Sequence, residues 1–507
     1  MRAIVLAVHQ LGSGGVTNAV LDQAQMFTGA GYETWIATLD DSPAMTEHAE
    51  QLRRRGRLPA GVKLANPHLE ARGTPADETP AGTRRSGPED SEQLLAETGD
   101  DRHGRYRRLF TPGGEYRSFE RLRSDGSIKH VNHFENRVLV RRDHIHNDAV
   151  HKSTYFTVDG RENREAFFAP SGFCYVQRWI DPASGKGAGV YASERGSGTV
   201  TRFPGMPDWH VAWLQTFVDR FETPPIVISQ TASVIPKMIR LRRASAVRIA
   251  MMHNSQVATP FSIDSPLRSD YNGTFSQLEE LDAFAILSEA QRVDMARRLG
   301  SPEVFTVVPN ALHQTSEVPV RRDPNLVSIV SRLAPQKAIH EAIHAFARVH
   351  RKLPHARLEI YGDGAVKGDL QETIETLGLS GIVRLMGRTD SPREVMARSV
   401  CTLSTSEWEA LPLSIAESLV VRTPVVAYDC LYGPSTLILD GRTGYLVPRH
   451  GREELARAVI SLLKNPRLAA AMGDAGREDI TSRLSFPAVL GAWRATFEHA
   501  ERRAGLS

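Results

Sequence analysis

The chain has 507 residues, 41% hydrophobic and 24% charged, with a formal net charge of +3. That length exceeds what one core serves, so two or three globular domains are expected. A nucleic-acid binder usually concentrates far more basic charge on one domain, so none is expected as a partner, although so small a net charge decides little by itself.

Cys174, Cys401 and Cys430 are scattered, with neither CxxC nor Cys/His spacing. That argues against a disulfide framework or structural zinc and fits a reducing cytoplasm. No run reaches the roughly 20 apolar residues of a spanning helix, and the one over 3–8 is too short for a signal segment. A soluble cytoplasmic protein is expected, with contact at the inner face of the membrane left open.

Residues 3–7 form a short apolar run, as a buried parallel strand requires. Gly12-Ser13-Gly14-Gly15 follows, then a helical apolar stripe over 16–27 and a strand over 32–38. This is a βαβ opening with a glycine-rich first turn. From about Gly73 to Gly104 the chain is rich in Pro, Gly and charge, which predicts a mobile loop.

Between Arg105 and Thr201 the apolar period becomes two, and Asp125-Gly126 and Asp159-Gly160 mark hairpin turns. An antiparallel meander is expected here, inserted into an α/β domain. Its histidines His144, His146 and His151 lack a ligand pattern and read as exposed strand residues. Arg102, Arg105, Arg107, Arg108, Arg117, Arg121 and Arg123 read either as gatekeepers on edge strands or as an attractor for a polyanion. Apolar strands alternate with helices again from Ile226 to Val308, and a second series begins at Leu326. The expected fold class is α/β, two doubly wound parallel sheets with a β insertion in the first.

In such sheets ligands bind beyond the carboxyl ends of the strands. After the strand ending near Val330 come Ser331-Arg332-Leu333-Ala334-Pro335-Gln336-Lys337 and a helix over 338–353. Arg332 and Lys337 could grip a diphosphate there, helped by the helix dipole; taken alone, they are equally solvated charges. Glu409 stands in the loop after strand 402–404, with Glu417 about a turn into the next helix. Carboxylates accept paired bonds from vicinal hydroxyls, while isolated acids are ordinary helix decoration. The N–H groups at Leu413 and Ser414 are free to meet a phosphate.

Together, Ser331-Arg332 to Lys337, the Glu409-x7-Glu417 spacing and Gly441-Arg442-Thr443-Gly444-Tyr445-Leu446-Val447 resemble the retaining GT-B glycosyltransferases of family 4. The resemblance implies two Rossmann-like domains. Arg332 and Lys337 would bind the donor diphosphate, Glu409 the transferred sugar and Glu417 the ribose. Gly14 and Gly15 resemble the family's glycine loop near the donor phosphate, and His253 corresponds to a histidine beside the reacting sugar. The implied catalytic set is His253, Arg332, Lys337 and Glu409. The donor set is Gly14, Gly15, Arg332, Lys337, Gly387, Glu409, Leu411, Leu413, Ser414 and Glu417.

The implied domains are 1–68 with 205–318 for the acceptor, 69–204 for the insertion, 319–480 for the nucleotide sugar, and a helix over 481–507 crossing back. The insertion resembles the subgroup that glycosylates wall teichoic acid or serine-rich adhesins. That implies a UDP-sugar donor, a hexose or N-acetylhexosamine, and an anionic polyol-phosphate acceptor. A Ser-rich protein acceptor and a non-catalytic acceptor-binding scaffold are the alternatives. Neither a cofactor nor a metal is expected, since no DxD motif stands at a strand end, and homo-oligomers would form through the insertion.

Overall fold

The computed structural model describes residues 2–12, 14–73, 94–312, 318 and 320–506. Ser13 of the glycine turn, the charged stretch over 74–93 and residue 319, the expected start of the nucleotide-sugar domain, lie outside the described residues. The chain divides into two compact units. The first comprises Met1–Gly12, Glu33–Pro225 and Arg240–Ala246; the second comprises Ser13–Tyr32, Ile226–Ile239 and Val247–Ser507.

In the first unit, strands Ile4–Val8, Thr34–Thr38 and Lys63–Ala65 pair in parallel, Ile4 opposite Thr34 and Trp35 opposite Lys63. The helix Pro67–Arg72 follows, capped by the Asn66 side chain. Ten antiparallel strands then run from Leu95–Asp101 to Val200–Phe203, each paired with its neighbour in the chain. Gly126 (φ +88°) and Gly160 (φ +81°) close the two Asp-Gly hairpins. Their N–H groups donate to Arg123 O at 3.0 Å and Thr157 O at 2.9 Å, a type I turn ended by a left-handed glycine.

The loop expected as far as Gly104 is a correction. Leu95–Asp101 is a strand at the edge of the meander, paired with Gly104–Phe110. Its side chains are largely exposed on both faces, so it needs no apolar residues. Charge pairs stitch it instead, Glu97 with Arg108 at 3.1 Å and Asp101 with Arg121 at 2.8 Å. Several of the arginines read either as edge-strand gatekeepers or as a polyanion attractor are thus engaged in pairs within the meander. Arg107 also pairs with Glu120, and Arg123 donates to the carbonyls of Ile128 and Ile145.

The meander histidines are a second correction: His144, His146 and His151 are half-buried, not exposed. His146 Nε2 meets Glu47 Oε1 at 3.1 Å, and His151 Nδ1 meets Asp41 Oδ2 at 3.3 Å. Asp41 also pairs with Arg72. Burial raises the Asp41 carboxyl, but hydrogen bonding to His151 and the charges of His68 and Arg72 outweigh it and bring it to about 2.

His68, 2% exposed, bonds Tyr175 Oη through Nδ1 at 3.1 Å. Burial pushes its imidazole down to about 4, against the pull of Asp41. The unfolded chain therefore takes up a proton that folded His68 refuses between pH 6.5 and 4. This contribution is complete above pH 6.5 and is lost as pH falls. The midpoint of thermal unfolding should drop between pH 7.5 and 5, and His68→Gln should remove about one proton from that dependence. An unchanged dependence in the variant would refute the assignment.

In the second unit, strands Ile226–Ser229, Val247–Met251, Ala283–Ile286 and Phe305–Val307 pair in parallel. The helices Gly15–Gly29 and Phe486–Ala504 pack together through aromatics. Trp493, fully buried, lies edge-on to Phe27 with centroids 5.6 Å apart, and Phe497 sits 5.7 Å from the same ring. Pro487 lies in the first turn of the latter helix, where its missing N–H costs nothing.

The remaining sheet has six parallel strands. From edge to edge they are Val383–Gly387, Arg357–Tyr361, Leu326–Val330, Cys401–Ser404, Val425–Tyr428 and Gly444–Val447. In chain order this is 3-2-1-4-5-6, the doubly wound arrangement whose order reverses between the first and fourth strands. The helix expected over 338–353 is Ile339–Lys352, preceded by a 3₁₀ turn at Pro335–Lys337 and a left-handed Ala338 (φ +40°).

Candidate functional site

The reversal point places the carboxyl ends of Leu326–Val330 and Cys401–Ser404 side by side. Loop 331–334 leaves the first of these strands under a neighbouring loop. Ser331 N–H donates to Tyr361 O at 3.0 Å, and Leu333 N–H to Asp363 O at 3.0 Å. Two glycines make that approach possible. A Cβ on Gly362 (φ +147°) would lie 1.8 Å from Ser331 O, and one on Gly364 (φ +157°) 2.3 Å from Leu333 O. Gly362 N–H in turn donates to Gly387 O at 2.8 Å, which ties the predicted Gly387 to the same cradle.

Lys337 ends the 3₁₀ turn, and its Nζ pairs with Glu409, whose carboxylate is buried. The backbone around them is cross-stitched. Thr405 Oγ1 donates to Lys337 O at 3.0 Å, Gln336 Nε2 to Trp408 O at 2.9 Å, and Glu407 N–H to Gln336 O at 2.9 Å. Buried Leu411 leads into the helix Leu413–Val420, whose N-cap Pro412 provides no side-chain cap. The first N–H groups of that helix, at Leu413 and Ser414, thus have no intrahelical acceptor. Ser331, Lys337 and Ser414 line one small cavity of about 10 Å³.

The structure therefore brings Lys337, Glu409 and Ser414 together. Arg332 is exposed in the same loop, its side chain held by no hydrogen bond or ion pair among the described residues. Glu417 is half-buried on Leu413–Val420. Lys337 paired with a buried carboxylate, close to the uncapped start of Leu413–Val420 and to the loop that carries Arg332, suits an anionic ligand that also carries hydroxyls.

Gly14 caps the helix Gly15–Gly29, and Gly15 opens it; both are exposed, with open space where a Cβ would stand. His253, half-buried after Val247–Met251, is fixed by a chain of amides. Its Nε2 lies 2.7 Å from Gln230 Oε1, Gln230 Nε2 donates to Gln23 Oε1 at 2.7 Å, and Gln23 Nε2 donates to Met251 Sδ at 3.1 Å. Because Gln230 Oε1 can only accept, His253 carries its proton on Nε2. Burial lowers its pKa to about 4, with Asn310 opposing, so the ring is neutral at pH 7. Sequence reasoning missed the Gly362/Gly364 cradle, although Gly-Asp-Gly directly after a strand was a readable signal.

Residues 314–479 match the family model described as glycosyl transferases group 1. They form a group 1 glycosyltransferase domain. The chain is 24% identical over 506 residues to the poly(ribitol-phosphate) alpha-N-acetylglucosaminyltransferase of Staphylococcus aureus strain COL, spanning 98% of this chain and 100% of that protein. A crystal structure of an S. aureus TarM mutant with fondaparinux, α-GlcNAc-glycerol and UDP matches with TM-score 0.86 at 22% identity, over 98% of this chain and 100% of that one. The pneumococcal O-GlcNAc transferase GtfA, in complex with UDP and GlcNAc, matches with TM-score 0.78 at 17% identity, over 98% and 99% of the two chains.

The fold is that of the GT-B glycosyltransferases, with the antiparallel meander as an insertion. The group 1 glycosyltransferase domain contains Arg332, Lys337, Gly387, Glu409, Leu411, Leu413, Ser414 and Glu417, whereas Gly14, Gly15 and His253 precede it. Among the described residues no group of three or more His, Cys, Asp or Glu side chains could hold a metal ion. No helix among them is long and apolar enough to cross a membrane.

Proposed function

We propose that this protein transfers a hexose or N-acetylhexosamine from a UDP-sugar to a polyol-phosphate polymer, with retention at the anomeric carbon. The observation that carries this reading is the end-to-end similarity, insertion included, to a poly(ribitol-phosphate) N-acetylglucosaminyltransferase. In this reading the donor diphosphate lies between Arg332, Lys337 and the N–H groups of Leu413 and Ser414. These fixed positive groups stabilise the charge that develops as UDP departs, and no metal is required for that. Glu409 holds hydroxyls of the transferred sugar and Glu417 those of the ribose. His253, neutral and Nε2-protonated, stands by the reacting sugar, and Gly14, Gly15 and Gly387 allow backbone to approach the donor. Domains 1–68 with 205–318, 69–204, 319–480 and 481–507 are the corresponding acceptor, insertion, nucleotide-sugar and returning-helix parts, with self-association through the insertion.

The similarity to GtfA favours a second acceptor class, Ser or Thr of a protein. The test offers UDP-glucose and UDP-N-acetylglucosamine with polyribitol phosphate, polyglycerol phosphate or a Ser-rich peptide. Transfer to a polymer with retained anomeric configuration is the expected outcome. Transfer to peptide alone would replace the acceptor, and a folded protein that binds no UDP-sugar would sink the transferase reading.

A further inference from the structure

Tyr432 stands in a backbone state that an aromatic residue rarely adopts, φ +72° and ψ −59°. Such a residue persists only where its surroundings over-determine it. Here two things do so. Its backbone forms a parallel bridge with Glu409, and the next residue, Gly433, is packed so tightly that a Cβ would lie 2.8 Å from Glu409 Cβ and 2.5 Å from Pro412 Cδ. The position of Tyr432 therefore sets the position of Glu409.

The Tyr432 side chain enters a fully buried polar cluster whose other members come from distant parts of the chain. Its hydroxyl donates to Asp294 Oδ2 at 2.5 Å and accepts from Gln256 Nε2 at 2.5 Å. Gln256 Nε2 also donates to Asp294 Oδ2 at 2.7 Å, and Arg297 donates to the other oxygen at 3.0 Å. Gln291 Nε2 donates to Gln256 Oε1 at 3.0 Å and to Asn254 O at 3.0 Å, the carbonyl next to His253. Tyr432, Asp294, Gln256 and Gln291 are each at most 4% exposed. Both amide hydrogens of Gln256 and of Gln291 are spent, so the cluster has one arrangement and no spare donor.

We infer that Tyr432, Asp294, Gln256 and Gln291 are positioning residues that fix Glu409 relative to the His253 loop, so that the sugar is held in one geometry for reaction. The inference rests on the proposed transferase reading, in which Glu409 and His253 flank the sugar. UDP alone touches neither group in that reading. The cluster thus governs sugar geometry and turnover, not nucleotide affinity, and misplacing a sugar-holding group by about an ångström costs about a hundredfold in rate.

The experiment compares Tyr432→Phe, Asp294→Asn and Asp294→Leu in UDP-sugar turnover and in UDP binding by calorimetry. Tyr432→Phe keeps the ring and loses only the hydroxyl; its kcat should fall about tenfold to a hundredfold while UDP affinity stays within about twofold. Asp294→Asn retains an oxygen for the Tyr432 hydroxyl and should recover most of the rate that Asp294→Leu loses. A Tyr432→Phe protein with unchanged kcat would overturn the inference, as would Asp294→Asn and Asp294→Leu being equally impaired. Wild-type protein with no turnover of any UDP-sugar would sink the transferase reading itself, an outcome distinct from active wild type with an indifferent Tyr432→Phe.

Discussion

Lys337→Ala should lose transfer by about a thousandfold and also destabilise the fold, because one side chain serves both ends of the site. Lys337 and Glu409 retain only 17% and 9% of their side-chain exposure. Removing the cation leaves Glu409 buried without its partner, which costs about 3 kcal/mol. Glu409→Ala should abolish turnover to a similar degree, leaving an ammonium that can still turn toward water. The double variant should then be more stable than Lys337→Ala alone, since no buried charge is left uncompensated. Denaturant unfolding of the four proteins checks the cycle. Strictly additive losses would mean that the pair is not coupled, and Lys337→Ala with ordinary turnover would remove it from the site.

The second large effect is expected at Gly362→Ala. The new methyl would lie 1.8 Å from Ser331 O, a backbone atom that cannot rotate away, and φ of +147° is itself strained for alanine. Loop 331–334 must shift, at a cost of about 4 kcal/mol. Arg332 sits on that loop, so UDP affinity should fall with stability. Gly378→Ala is the control. It has φ +66° but nothing within 4 Å of the added carbon, so it should cost only about 1 kcal/mol of backbone strain. Thermal melts with and without UDP separate the two. Equal effects from both substitutions would sink the steric account.

The parallel strands were legible because burial on both faces demands nearly continuous apolar runs, as in Ile4–Val8 and, but for Ser328, Leu326–Val330. The meander was legible by its period of two and by its Asp-Gly turns. The strand Leu95–Asp101 was not. An exposed edge can be built from Glu, Thr, Gly and Asp, and its partners Arg108 and Arg121 belong to other strands. At the site, Lys337 and Glu409 stood out through loop position and family spacing. Tyr432, Asp294 and Gln256 did not, since residues so far apart leave no periodic trace, and a tyrosine with positive φ looks like any other tyrosine in sequence. The half-buried meander histidines were misjudged for the same reason: Glu47 and Asp41 lie about 100 positions away.

The edge-on packing of Phe27 against Trp493 also bears on how the chain is made. A ribosome adding about 5–20 residues per second produces Phe27 tens of seconds before Trp493. Throughout that interval the helix Gly15–Gly29 lacks its aromatic cover, although the hairpins of the meander, each joining neighbours in sequence, can close as they emerge. Nascent chains stalled short of Phe486–Ala504 should therefore carry an ordered meander beside an apolar helix open to chaperones.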